Sequence, residues 1–540
     1  MGIFSPAICA IQQVMPNYNI KNAALFDGVA GTLSKTLVTA TNSKVYTFSF
    51  WTARSKLSFN QAIIRTAANL SFIMFGYSHT DEFRVSVEGG GVNGVVTTEV
   101  ERDVTAWQHY VVAVDTTQAV ASNRVKIYKN GTQITSMRLT DYPGLNTTSG
   151  LNNAVLHRIG NDGTTEYFSG YIAAFHLIDG QALTPSDFGE TDANTGNWIA
   201  KPYIGIYGIN GFELLFENAL ALGADTSGNA NNWAVSLTGV TQVTSTPTNV
   251  AATLNPLAAV GGTLTNGNRN FKYVTPGGYP NAHASMSPDG LKGYFEWDEP
   301  TSIDGIIGFQ PKSSLQSRDF YYTTPTFWFH TTDGSIHNSS VTSLTGYLVA
   351  PLSTERCGCA FDFTGGRRDV WFRNGTGWGT NVGIGNPASG AYPAFTSTDL
   401  TDAGGYNIVF GPGAQDMNVY FSEAELTYAS PTGFKALTTN NLPFRSPKKP
   451  STPQTGSFTG NVSVNGPFIN LGMVPDQAGV STLNGNTIVW GTHADATAVG
   501  VKIRTSLTTY NASGPNTYSI AVKAYAGGSN VAEATAQGNP

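Results

Sequence analysis

Apolar and polar residues alternate with a spacing of two over much of this chain, and no stretch sustains the three-to-four spacing of an amphipathic helix. The stretch from Trp107 to Gly131 shows the pattern at its clearest. Tyr110, Val112 and Val114 face one way along an extended segment and His109, Val111 and Ala113 face the other. A central strand covered on both sides is therefore predicted. A second β-branched and aromatic run, Val125 to Lys129, ends in Asn130-Gly131, the dipeptide that accepts the positive φ angles of a type I′ hairpin turn. The chain is expected to fold back through Thr132 to Thr135. Val370-Trp371-Phe372-Arg373 running into Asn374-Gly375 repeats the device. Gly, Asn and Thr punctuate the alternating runs, which predicts successive short strands packed as sandwiches. There is no heptad run and no Gly-X-Y repeat, so the chain brings neither a coiled coil nor a collagen-like shaft.

At 540 residues the chain exceeds one ordinary core and suggests roughly three or four domains of ~150 residues. Charged residues make up 12% against a usual share of about 25%, which leaves a surface of Thr, Ser, Asn and Gly suited to contact with neighbours or sugars. A net charge of −6 repels nucleic acid and anionic membranes. No apolar run approaches a membrane span, and the opening MGIFSPAICAIQQVMPNY has no basic region ahead of its apolar residues. A soluble protein made in a cytoplasm is expected. Cys9, Cys357 and Cys359 are too few and too unevenly spaced for a disulfide framework or a tetrahedral metal site. Alternation along Cys357 to Phe363 places two of the sulfurs on one strand face, as buried thiols.

Residues 1–19 are expected to be a docking segment and residues 20–188 the first domain. FDG near its start, YTFSFW, WQHYVVAVD, VKIYKNG and then YFSGYIAAFHLIDGQAL resemble, in that order, the concanavalin A-like sandwich of the laminin-G type. Residues 189–257 are too apolar at FELLF for a plain linker. Their sequence GQALTPSDFGE, GFELLFEN, DTSGNANNW and TPTNV to TLNPL resembles the connector that follows laminin-G-like domains in tail and other virion proteins of bacteriophages. It is expected to pack as an extra strand layer between domains. Residues 258–447 hold GYFEW as an opening strand, CGCAFDF with VWFRNG as a central hairpin and YNIVFG as a late strand, an order that resembles a SPRY-type sandwich. Prolines at 447, 450 and 453 mark residues 448–453 as a stiff extended linker. Residues 454–540, with strand-like runs at Thr487 to Trp490, Gly500 to Thr505 and Tyr518 to Tyr525, make a small β domain. The predicted fold class is all-β: tandem antiparallel β-sandwiches, concanavalin A-like and then SPRY-like, plus this C-terminal β domain.

Glycosidases on such sandwiches need two or three carboxylates alternating along one strand, so that acid and nucleophile or base face one cleft. No Glu-x-Asp-x-Glu run is present. Glu296 and Asp298 in YFEWDEP come nearest, and they are expected on the exposed polar face of an edge strand. His109, His157 and His176 stand in or beside predicted strands with no nucleophile elbow, as polar-face or satisfied core histidines. Gly89-Gly90-Gly91 and Gly404-Gly405 are not followed by a helix with Lys-Ser/Thr, so they are turns rather than phosphate cradles. No catalytic or cofactor-binding residue is assigned. Laminin-G-type sandwiches often hold calcium, and that resemblance singles out Asp162 and Glu166 in GNDGTTEYF as the pair to test for a structural calcium ion.

The resemblances imply a structural protein of a bacteriophage virion, a tail or tail-fibre component that contacts neighbouring subunits and recognises host-surface polysaccharide. Its partners would be other virion proteins and copies of itself, with a trimer favoured, and it would neither bind nucleic acid nor insert into a membrane. It would be assembled in the host cytoplasm and end in the virion. A free carbohydrate-binding adhesin and a polysaccharide-degrading tailspike are the alternatives.

Overall fold

The computed structural model describes residues 18–442, apart from 68–70, 77–79, 89–93, 105, 194–195, 237, 274–279, 301–304, 313–325, 339–340, 352–354, 376, 380–383 and 414–415, and beyond them the backbone of strands between 478 and 538. Two compact units result, Met1–Asp192 with Asn197–Arg445 and Ala193–Gly196 with Ser446–Pro540. Cys9, the expected docking segment up to residue 17, the Gly89 to Gly91 run and the linker at 448–453 lie outside the described residues. Helix among the described residues is confined to single 3-10 turns such as Ala121–Asn123 and Pro185–Asp187. The all-β class is therefore what the chain adopts.

The first sandwich is built from β1 (Ala23–Asp27), β2 (Leu33–Thr36), β3 (Val45–Arg54), β4 (Gln61–Thr66), β5 (Phe72–Phe75), β6 (Glu82–Ser86), β7 (Val95–Val100), β8 (Gln108–Asp115), β9 (Val125–Lys129), β10 (Thr132–Ile134), β11 (Met137–Thr140), β12 (Leu156–Ile159) and β13 (Ser169–Asp179). The connector adds β14 (Gly189–Thr191), β15 (Trp198–Ala200), β16 (Phe212–Leu214), β17 (Ala234–Val235) and β18 (Val240–Val243). Among the described residues one sheet runs β10-β9-β8-β3-β13-β1-β18, with β16 also on β13, and the facing sheet runs β11-β7-β6-β5-β4-β12-β2-β17. The inward residues of β3, Tyr46, Phe48 and Phe50, meet those of β8, Tyr110, Val112 and Val114, in one buried core. Phe50 stacks on Phe175 at 5.2 Å and Tyr110 on Phe83 at 4.4 Å, so rings from both sheets interlock. At ~1.5–3 kcal/mol for each large side chain fully buried, this aromatic ladder is a main hold between the sheets.

The predicted central strand is β8, paired with β3 on one side and β9 on the other. Asn130 (φ 46°) and Gly131 (φ 83°) form the turn into β10. The outward face of β8 is buried because the connector crosses it: the indole Nε1 of Trp198 donates to His109 Nδ1 at 3.0 Å, and His109 Nε2 lies 2.9 Å from Ser49 Oγ. Gly131 and Gly189 flank that indole so closely that a Cβ on either would come within 2.5 Å of the ring. The connector packs on the first sandwich and from Thr244 onward also meets the second, where Thr244 Oγ1 lies 2.5 Å from Ser422 Oγ and Val250 N donates to Thr439 Oγ1 at 2.9 Å. Its β16 and β18 extend one sheet of the first sandwich and β17 the other, because bare strand edges leave backbone groups unpaired and FELLF supplies apolar residues to fill them.

The second sandwich contains β19 (Gly262–Thr265), β20 (Asn270–Tyr273), β21 (Ala282–His283), β22 (Lys292–Asp298), β23 (Ile306–Pro311), β24 (Phe327–His330), β25 (Ile336–Asn338), β26 (Val341–Leu344), β27 (Cys357–Asp362), β28 (Asp369–Asn374), β29 (Gly377–Trp378), β30 (Tyr406–Gly411), β31 (Met417–Tyr420) and β32 (Lys435–Ala436). Its sheets run β19-β20-β31-β22-β27-β28-β29, with β32 on β22, and β21-β30-β23-β24-β25-β26. Ala252 and Leu254 belong to this core, so it begins before residue 258. Cys357 and Cys359 are buried in it as free thiols, and burial pushes both well above their ordinary values, in Cys357 with help from nearby carboxylates. The second hairpin differs from its expected form by one residue. Asn374 is the last residue of β28, paired with Gly377, and Gly375 takes the positive φ of 40°. Asn374 stays in the strand while its amide donates to the Val349 carbonyl at 2.7 Å.

In the other unit, β33 (Ala478–Ser481) pairs with β34 (Thr487–Trp490), and β35 (Ala498–Thr509), β36 (Thr517–Ala526) and β37 (Ser529–Gly538) form an antiparallel sheet.

Candidate functional site

The turn after β12, with Gly160 at φ +90° and Gly163 at φ +100°, carries Asp162 and Glu166, and the structure brings the two together around a protein cation. Asp162 Oδ1 accepts the backbone N–H groups of Thr164, Thr165 and Glu166 at 2.8, 2.8 and 3.0 Å, and Oδ2 accepts the Thr164 hydroxyl at 2.7 Å. Burial alone would raise the Asp162 carboxyl, and these donors outweigh it, bringing it down to about 2. The Arg65 guanidinium pairs with Glu166 and lies 3.9 Å from Asp162 Oδ2. A calcium ion needs six to eight oxygen ligands. Here the Asp162 oxygens accept from the donors of their own turn, and those of Glu166 face Asn60 and the Arg65 guanidinium, which already supplies a positive charge.

Glu166 leads along the rim of the sandwich. Asn60 Nδ2 donates to Glu166 Oε1 at 3.4 Å. Phe59 beside it is 46% exposed, and the ammonium of Lys56 lies 3.8 Å above its ring. Ser58, at φ 60°, turns the chain so that its N–H donates to Asp81 Oδ1 at 2.8 Å. Asp81 also receives the buried Arg54 at 3.1 Å and the exposed Arg102 at 3.0 Å. Burial would raise the Asp81 carboxyl, and the Ser58 N–H with the two arginines holds it below its usual value. Arg54 in turn donates to the Glu101 carbonyl at 2.7 Å, and Lys129 bridges Glu101 at 2.8 Å and Glu99 at 2.5 Å. The loops 55–60, 80–82, 99–102 and 161–166 thus form one hydrogen-bonded rim with an exposed aromatic face among charged and amide groups. Such a surface can stack the apolar face of a ring and hydrogen-bond the hydroxyls at its edge. Sequence reasoning reached Asp162 and Glu166 and missed Phe59, Asp81 and Arg102, whose spacing along the chain carries no signal of their meeting.

The other sequence candidates are structural. Glu296 and Asp298 do not lie on an exposed edge: β22 is flanked by β27 and β31, and Glu296 is 0% exposed. Its Oε1 accepts the Tyr294 hydroxyl and the Tyr428 N–H, both at 2.9 Å, its Oε2 accepts the Thr427 N–H at 2.7 Å, and Arg356 pairs with both carboxylates. The reason is that alternation assigns a face without saying what covers it. Phe434, from the segment after β31, packs over Tyr294, Ala360 and Trp371 on that face. His157 is buried with both ring nitrogens on the carbonyls of Val155 and Leu151, at 2.8 and 3.0 Å. His176 Nδ1 lies 3.2 Å from the Tyr207 hydroxyl. Gly404 and Gly405 belong to the turn at Asp402, where Gly404 N donates to Asp402 Oδ1.

With this geometry in view, residues 28–187 match the family model described as the concanavalin A-like lectin/glucanases superfamily. The class that the fold and this match define for the first domain is a concanavalin A-like, lectin-type sandwich. No curated protein matches the sequence. Among solved structures, a Bacteroides ovatus protein described as a candidate carbohydrate binder is similar at 15% identity over 42% of this chain and 60% of its own, with a TM-score of 0.31. This chain therefore spans less than two thirds of that protein. The mouse laminin α1 chain domains LG4-5 are similar at 10% identity over 81% of this chain and 92% of theirs, TM-score 0.25. A human SPRY domain is similar at 16% identity over 28% of this chain and 91% of its own, TM-score 0.21.

Proposed function

We propose that this protein is a structural component of a bacteriophage virion, in the tail or a tail fibre, whose first sandwich recognises host-surface polysaccharide at the rim around Phe59. The observation that carries the glycan reading is this exposed aromatic ring set among Asn60, Glu166, Lys56 and Arg102 on a lectin-type sandwich. The virion reading is supported by the resemblance of the connector and by a surface poor in charge, which suits packing against other virion proteins and copies of the same chain in a trimer. The protein acts without catalysis, since Glu296 and Asp298 are engaged by donors on every side. Purified chain incubated with polysaccharide extracted from host cells is expected to bind without releasing fragments. Phe59→Ala is expected to weaken that binding by about tenfold or more while the fold persists. Release of oligosaccharide, or unaltered binding by the variant, refutes the reading.

A further inference from the structure

The hairpin joining β24 to β25 carries a polar cluster that glycan recognition leaves unused. Phe327 and Phe329 of β24 enter the core, so Trp328 and His330 between and after them point to the outer face of the sheet. β25 sets His337 opposite Trp328, and the two rings stack at 3.8 Å with 4° between their planes. The turn then brings Asp333 back over the strand ends, with Oδ1 3.2 Å from His330 Nδ1. Ser335 Oγ donates to Asp333 Oδ1 at 2.5 Å and lies 2.6 Å from His337 Nε2. One nitrogen from each histidine and one oxygen of Asp333 all fall within 4.8 Å of one another. Gly334, at φ +68°, lets the turn close, since a Cβ there would lie 2.0 Å from the Leu348 carbonyl oxygen.

We propose that His330, Asp333 and His337 bind a divalent transition-metal ion, zinc by donor type, that fastens the ends of β24 and β25. A tetrahedral zinc ion with bonds of ~2.0–2.1 Å to nitrogen and oxygen sets its ligand atoms ~3.3 Å apart, and the His330 to Asp333 pair is already at that separation. Two imidazoles with one carboxylate suit zinc, cobalt or nickel, whereas calcium and magnesium take oxygen ligands. His337 is held in place by the Trp328 stack and by Ser335, which joins two of the three ligands and orients them as outer partners of metal ligands do. His330 and Asp333, with side chains 24% and 55% exposed, give the ion a path from solvent and leave its fourth position open to water. The same residues do not make a serine nucleophile. In such a triad the carboxylate holds the imidazole nitrogen remote from the serine, and here Asp333 meets the serine hydroxyl itself.

The test uses the full chain stripped with a chelator and titrated with zinc by calorimetry and with cobalt by visible absorption. One metal per chain and a tetrahedral cobalt spectrum are expected. His330→Ala and Asp333→Ala, both at solvent-reaching side chains, are expected to weaken zinc binding by at least the ~10–100-fold that loss of an outer partner costs, with circular dichroism unchanged. Absence of binding by the intact chain, or affinity in the variants equal to that of the intact chain, overturns the proposal.

Discussion

Acid is expected to loosen the first sandwich before most of its carboxylates titrate, because His109 and His176 are buried under the connector. Burial lowers both imidazoles from 6.5 to about 3, and the proximity of His176 adds to the fall at His109. Between those values the folded state binds fewer protons than the unfolded chain, so the stability is complete above pH 6.5 and drains away as the pH falls toward 3. Each such histidine costs about 1.4 kcal/mol per pH unit in that window. The pair therefore removes about 4 kcal/mol between about pH 7.5 and about pH 5, a large part of a domain's usual stability. His157, also lowered by burial, acts in the same direction. Glu213, 3.7 Å from His176, acts in the opposite one: burial raises its carboxyl, so its protonation in the fold trims the loss at lower pH. Pulse proteolysis in urea at about pH 7.5 and about pH 5, following peptides from β8 and β13, measures the difference. His109→Gln keeps an acceptor for Trp198 and a donor for Ser49 but cannot titrate, so it should lose about half as much stability as the natural chain. An unchanged urea midpoint in the natural chain, or an equal loss in the variant, refutes the reasoning.

Further outcomes follow from single contacts. Gly131→Ala forces a side chain into the left-handed region and into the Trp198 ring, and should destabilise the first sandwich by about 2–4 kcal/mol, with a red shift of tryptophan emission. Glu296→Ala leaves the Tyr294 hydroxyl and the N–H groups of Thr427 and Tyr428 without their acceptor, while Arg356 keeps Asp298, costing the second sandwich about 2–4 kcal/mol in denaturant unfolding and leaving polysaccharide binding unaltered. Asp162 contributes stability that is complete above its unfolded value of 3.8 and lost as the pH falls through about 2. After solvent screening that is about 1 kcal/mol, measurable as an acid shift of the melting midpoint that Asp162→Ala abolishes. With Arg65 between the carboxylates, millimolar calcium should not move that midpoint.

Much of the framework was legible because its signals are local. Tyr46, Phe48 and Phe50 alternate in sequence and so share one face of β3, and Asn130-Gly131 names its own turn. The same logic placed Glu296 and Asp298 on one face and then failed on exposure, since the cover comes from residues about 130 positions later. Asn374-Gly375 carried the same turn signal as Asn130-Gly131, yet Asn374 remains paired in its strand. The rim of the first sandwich was visible only at Asp162 and Glu166. Phe59, Asp81 and Arg102 reach it from separate loops, and long-range closure of a sandwich is invisible to period and motif. The cluster His330, Asp333 and His337 lies within eight residues, but its convergence depends on the register of β24 against β25, which the sequence does not spell out.

The measurement that tests the central claim most directly is electron microscopy of purified phage particles labelled with an antibody against residues 20–188. Label on the tail, reduced when host polysaccharide is added, is the predicted result. Unlabelled particles, with the chain recovered free in the lysate, contradict the account.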